Sequence, residues 1–274
     1  MSGIVSLLPA ATDIVLALAL GDDLVAVTHE CDERARTGRQ VVVRAGHTRS
    51  VLDVDALAGL DPALILTQDL CAVCAVPAGD VDLALARLGS DAAVVTLDPH
   101  SLADVLVGIA EVAQCAGVPQ RGEALVAQLR SRLADVCLAV EGRERPRVAV
   151  VEWTDPLYLA GHWIPDMVAL AGGTCAAGHP GAPSHPTGWK TLRTARPDIV
   201  VVAPCGYDLD GAAKQAEEVA ARVAEMVGPV PVWAIDADAL VVRPGPRLVD
   251  GVEALASVLH AGAVAEHAGV RRVA

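Results

Sequence analysis

Apolar positions along the chain fall into short unbroken runs separated by longer stretches of helical period. The runs GIVSLL (3–8), LVAVTH (24–29), QVVVRAG (40–46), ALILTQ (63–68) and AAVVTLD (92–98) predict strands. Unbroken Val/Ile/Leu runs of this length suit strands buried on both faces of a parallel sheet. Residues 10–21, 51–60 and 81–89 predict the intervening helices, the first of them closed by Gly21. Residues 101–142 break the alternation with two helices in succession. Ser101 and Asp104 make an S-x-x-D start for the first, and Pro119 opens the second in the first-turn position that proline favours. That second helix reads as about 22 residues, roughly 33 Å at 1.5 Å per residue. The alternation then resumes, with strands at 147–153, 198–204 and 230–236 and helices at 164–173, 210–228 and 247–262. The Gly/Pro/His-rich segment 174–188 reads as a loop. The expectation is an α/β protein of two Rossmann-like lobes joined by a long helical spine: an N-terminal lobe over 1–100, the spine over 101–145 and a C-terminal lobe over 146–274.

Composition narrows the function classes. The chain of 274 residues is 53% apolar but only 2% aromatic and has no Phe, so Ala, Val and Leu must fill the core. A net charge of −13 argues against nucleic acid or an anionic membrane surface as partner. The apolar run 14–20 is too short to span a bilayer, which predicts no membrane insertion. The N-terminal stretch has no basic n-region and no small-residue cleavage site, so the expected location is the cytoplasm. Seven cysteines in a chain of this length do not suggest a secreted disulfide framework. Cys115 and Cys137 lie in helical patterns and are expected to be small buried hydrophobes.

The chemistry collects just past the predicted strands, where open α/β sheets bind their ligands. Cys31 follows the strand 24–29, Cys71 and Cys74 follow 63–68, and Cys205 follows 198–204. These four are candidate metal ligands. An iron–sulfur cluster leads, because thiolates suit such clusters and C-x-x-C is a common two-ligand element. Zinc, a redox pair at Cys71–Cys74 and ordinary thiols remain open. Glu152, at the end of the strand 147–153, and Asp155 and His162 beyond it read either as ligand contacts and acid–base groups or as a turn-forming Asp-Pro and a surface histidine. Trp153 and Trp163 are expected to wall a cleft, with Tyr207 beside Cys205 as a further ligand contact. Arg243 reads as a partner for a ligand carboxylate or phosphate, or as a helix-start ion pair. His179 and His185 share the Gly/Pro-rich loop, which the sequence supports only weakly as a metal-capturing segment.

The segments IVSLLPAATDIVLALALGDDLVAVTHECD, LILTQDLCAVCAV, EWTDP, GHW, PCGYDL and RPGPRLVDG together resemble the cobalamin-binding-protein branch of the class III solute-binding proteins. The resemblance runs from Ile4 to about Leu259. It implies the class III periplasmic-binding-protein fold: a two-lobed, helix-spined receptor for corrinoids, siderophores or haem, gripping its ligand between lobes with little hinge motion. The chain departs from the transport members in lacking an export signal, a lipoprotein cysteine and an aromatic-rich cradle, and in carrying the four cysteines. The expected function is therefore a cytosolic solute-binding-type protein. It would hold a small-molecule ligand, cobalamin or another corrinoid, beside a cysteine-ligated iron–sulfur centre, with a transporter permease a doubtful partner. The alternative is an iron–sulfur-dependent enzyme of sulfur transfer or Lewis-acid chemistry, so whether the protein is an enzyme stays open.

Overall fold

The protein is described by a computed structural model covering residues 3–46, 50–69 and 76–274. It divides into two compact units, one of Met1–Asp98 with Leu106–Ala127 and one of Pro99–Val105 with Gln128–Ala274. No helix among the described residues is long and apolar enough to cross a membrane.

The first unit is built on the strands β1 (Ile4–Ser6), β2 (Leu24–Thr28), β3 (Gln40–Ala45), β4 (Ser50–Leu52), β5 (Leu64–Thr67) and β6 (Ala93–Thr96). Their order is β4-β3-β2-β1-β5-β6, parallel throughout except for the antiparallel edge strand β4. Helices α1 (Pro9–Ala17), α2 (Glu33–Arg36), α3 (Val54–Ala58) and α4 (Ala78–Leu88) connect them. Val5, Ala26, Val43 and Ile65 are fully buried in one apolar cluster with Leu57 of α3 and Val81 of α4. The helix expected over 51–60 is a strand and then a helix. Val51 and Leu52 pair with Arg44 and Val43, and Asp53 then caps α3 by accepting a 3.0 Å bond from the Ala56 amide. The strand was hidden because a three-residue edge owes its conformation to β3 rather than to its own pattern.

Helices α5 (Leu102–Cys115) and α6 (Pro119–Val140) follow, each contributing to both units. The start of α5 is a reciprocal cap: the Asp104 carboxylate accepts from the Ser101 amide at 2.9 Å, and the Asp104 amide donates to Ser101 Oγ at 3.1 Å. Cys115 and Cys137 are exposed, against the expectation of burial. Each lies beside the buried stripe of its helix, which runs through Ile109, Val112 and Ala116 in one case and Leu129, Leu133 and Val136 in the other. Helical period alone does not say which face a residue takes.

The second unit carries β7 (Arg147–Thr154), β8 (Leu157–His162), β9 (Thr174–Pro180), β10 (Pro186–Thr187), β11 (Ile199–Val202), β12 (Val232–Ile235) and β13 (Val270–Arg272). Its helices are α7 (Ile164–Leu170), α8 (Trp189–Ala195), α9 (Leu209–Met226), α10 (Ala237–Leu240) and α11 (Leu248–Leu259). The sheet order is β10-β8-β9-β7-β11-β12-β13, and β8 also pairs with β7. The first half of β7 runs parallel to β9, through Arg147–Thr174 and Ala149–Ala177. From Val151 onward β7 runs antiparallel to β8, through Val151–Leu159 and Thr154–Leu157. The ends of β8 and β9 then pair with each other, through Ala160–Gly178 and His162–Pro180. Much of 174–188, expected as a loop, is thus the strands β9 and β10. TCAAGHP has no apolar run to announce it, and β9 exists because Gly178 lets the Ala160 backbone approach. A Cβ on Gly178 would lie 2.5 Å from the Ala160 carbonyl oxygen.

Candidate functional site

The proposed cysteine ligands are distributed between the units. In the first, Cys31 lies past β2 at 4% exposure. Its thiol is 3.2 Å from Thr12 Oγ1, and that hydroxyl donates to Ser6 Oγ at 2.8 Å. A buried polar chain therefore links the end of β1, the first turn of α1 and the end of β2. Cys71 and Cys74 lie outside the described residues. Cys205 belongs to the second unit, where it follows β11 and is exposed, its amide donating to the Glu152 carbonyl at 3.2 Å. Among the described residues no group of three or more His, Cys, Asp or Glu is placed to hold a metal ion.

In the second unit the switch of β7 from one partner strand to the other organises the polar groups. Glu152 sits at that switch with its carboxylate turned inward. One oxygen accepts from the Gly161 amide of β8 at 2.6 Å, and the other accepts from Ser184 Oγ at 2.9 Å. Burial pushes the Glu152 carboxyl above the usual glutamate range, and the two hydrogen bonds oppose that rise only in part. Cys175, on β9, is pushed up too, first by burial and then by the negative charge of Glu152. Glu152 thus acts on the architecture: it ties the segment after β9 to the end of β8. Ser184, its second partner, has no motif to single it out in the sequence.

The solvent-facing chemistry is next to this clamp. Trp153, on the opposite face of β7, is 37% exposed. Its indole Nε1 donates to the Asp155 carbonyl at 3.0 Å, and its ring lies 6.0 Å from that of Tyr207, tilted by 51°. Asp155 is exposed and forms, with Pro156, the two-residue connection between β7 and β8. Tyr207 is held through its carbonyl, which accepts from the Asp238 amide at 3.1 Å. The Asp238 carboxylate in turn takes Arg243 Nε at 3.0 Å and Nη2 at 2.5 Å. Arg243 is therefore engaged with Asp238, a partner the sequence did not single out, whose amide in turn holds the Tyr207 carbonyl. His162 closes β8 in the left-handed region, with φ of 47°. Its ring lies 5.4 Å from Trp163 and 6.1 Å from His100, which the sequence did not flag. Trp163 is buried, and its Nε1 donates to the Val241 carbonyl at 2.8 Å. The surface around Trp153 and Tyr207 offers two aromatic faces beside a carboxylate and a thiol. Such a surface suits a flat, largely apolar ring system better than a small ion.

Comparison with known proteins gives this geometry a context. The chain matches the family described as periplasmic binding protein over residues 4–228. It is 27% identical to an uncharacterised ABC transporter substrate-binding lipoprotein of Bacillus subtilis (strain 168) over 273 residues, covering 94% of this chain and 79% of that one. It is 27% identical to a vitamin B12-binding protein of Vibrio cholerae serotype O1 over 266 residues, covering 93% and 88%. The solved periplasmic heme-binding protein of Roseiflexus sp. RS-1, in its apo form, aligns with a TM-score of 0.73 at 25% identity, covering 96% and 99%. The α/β fold with two sheets is that of the class III periplasmic binding proteins. These findings overturn the expected cytoplasmic location. The relatives are described as a substrate-binding lipoprotein and a periplasmic protein.

Proposed function

The chain belongs to the periplasmic binding protein family, and from that premise we propose that it is an extracytoplasmic receptor for a tetrapyrrole, a corrinoid before a haem, which it delivers to an ABC-type permease. The observation that carries this reading is the Trp153–Tyr207 pair. In a chain with 4 Trp and 2 Tyr, one of each is brought to a single surface past the strand ends of the second unit. A planar macrocycle gains most from such faces, through stacking and through burial of apolar area. The vitamin B12-binding relative, similar along most of both chains, favours the corrinoid. In this reading Trp153 and Tyr207 contact the macrocycle, and Asp155 and Cys205 contact its substituents. Glu152, Trp163 and Arg243 hold the supporting framework, and His162 joins the framework to the surface. Neither the relatives nor the described residues favour a cysteine-ligated iron–sulfur centre or an enzymatic reaction, and the proposal uses neither.

Titration of the full chain with cyanocobalamin and, separately, with haemin, followed by tryptophan fluorescence and calorimetry, tests the reading. Saturable one-to-one binding of the corrinoid is expected, weakened about threefold to tenfold in Trp153→Ala and again in Tyr207→Ala. Failure of both tetrapyrroles to bind would sink it, and preference for haemin would reverse the choice of ligand.

A further inference from the structure

The clamp around Glu152 brings together two side chains that the receptor reading does not use. His179 is the sixth residue of the β9 segment TCAAGHP and lies in register with Gly161 of β8. The chain then turns back: the Ala182 amide donates to the His179 carbonyl at 3.1 Å, and the His162 amide donates to the Ala182 carbonyl at 2.8 Å. The returning backbone crosses directly over Gly161, where a Cβ would lie 2.5 Å from the Ser184 nitrogen. Ser184 is then fastened to the Glu152 carboxylate. His185, the next residue, is left facing His179, with ring centres 4.4 Å apart and planes tilted by 38°. Both histidines are exposed.

We propose that His179 and His185 form a two-imidazole site for a divalent late-transition-metal ion of the nickel(II) or copper(II) type. A metal–nitrogen bond of about 2.0–2.1 Å puts the metal roughly 3.2 Å from each ring centre. Two imidazoles at about 90° to each other around the ion then have ring centres about 4.5 Å apart, against about 5.2 Å for a tetrahedral angle. The observed ring-centre separation of 4.4 Å is closer to the 90° value than to the tetrahedral one, which favours nickel(II) or copper(II) over zinc. His185 Nδ1 lies 3.4 Å from the Pro186 carbonyl oxygen. A proton on that nitrogen leaves Nε2 with the lone pair that a metal needs. The net charge of −13 raises the local concentration of cations around the whole molecule. Water completes the shell, since the site supplies two protein ligands. Glu152 and Ser184 are positioning residues: they touch no metal, but they hold the second imidazole against the first. This inference is independent of the tetrapyrrole reading and stands or falls separately.

The test uses the full chain and nickel(II) chloride, because thiols do not reduce nickel(II). Calorimetry should show one saturable site. X-ray absorption should show imidazole scattering from two histidines with no sulfur in the first shell. His179→Ala and His185→Ala should each abolish that site while leaving the far-UV circular dichroism unchanged, with His179→Asn and His185→Asn as milder replacements. Ser184→Ala and Glu152→Gln should weaken binding by about tenfold, as the loss of groups that orient a ligand does. Binding that survives both histidine substitutions, or a first shell containing sulfur, overturns the proposal, as does a native chain that binds no more nickel than the double variant.

Discussion

The two sheets use the same Val/Ile/Leu vocabulary to different ends. In the first unit β1, β2, β3, β5 and β6 run parallel, with the side chains of β1, β2 and β5 largely buried, and the polar residue past the end of β2, Cys31, is absorbed into the Ser6–Thr12 chain. In the second unit the parallel strands β7, β11 and β12 are extended by β8, β9, β10 and β13, of which β9, β10 and β13 have little apolar signal of their own. His179 and His185 lie on or beside that extension, while Trp153 stands on β7 and Tyr207 follows β11. The first sheet illustrates stability from bulk burial. The second shows a turn made by close backbone approach, with glycines at the contacts and a partly buried carboxylate holding it.

That contrast is open to test. Ile65→Ala removes a fully buried side chain from the inner strand β5 of the first sheet and should cost about 2–5 kcal/mol, read by hydrogen exchange on each unit separately. A loss appearing equally in both units would deny them separate cores. Gly161→Ala leaves the apolar core of the second unit intact but drives a methyl group into the Ser184 backbone. It should cost about 1–3 kcal/mol and displace the segment 181–185; full stability would mean that the close approach does not matter.

Glu152 supplies a pH dependence with a definite sign. Its carboxyl is raised above the ordinary value of 4.5, so between that value and the folded one the native state holds a proton that the unfolded chain has released. Stability from this group is therefore present at low pH and is lost as pH rises through the window. Glu152→Gln should flatten that part of the curve of melting temperature against pH, and an unchanged slope would assign the dependence to another group. The smallest effect belongs to Arg132, which joins α6 to α11 through Asp250 at 2.5 Å and Glu253 at 2.7 Å. Those two carboxylates raise its already high pKa further. All three side chains are about one-third exposed, so Arg132→Met should cost only about 0.2–1 kcal/mol, less in high salt. A larger loss would mark this contact as part of the second unit's core.

Much of the fold was legible because its central strands are buried on both faces and therefore read as unbroken apolar runs. The α5 cap and the long α6 followed from Ser101, Asp104 and Pro119 for equally local reasons. The candidate site was legible as a neighbourhood: Glu152, Trp153, Asp155 and Tyr207 were marked by standing at or past strand ends, but the contacts each would make were not. Nothing local distinguishes the inward Glu152 from the outward Trp153 beside it, or shows that Asp238 would take Arg243.

By itself the sequence determined the alternation of strands and helices, the shortage of aromatics and a set of candidate groups for meeting a ligand. It could do so because burial and helix capping are written in neighbouring residues. Only the tertiary structure decided that β7 would change partners at Glu152, that glycine at 161 and 178 would admit a second backbone, and that His179 and His185 would meet. Those outcomes depend on pairings between segments far apart in the chain. Their energies come from close approach and from a partly buried hydrogen-bonded carboxylate, neither of which leaves a periodic mark along the sequence.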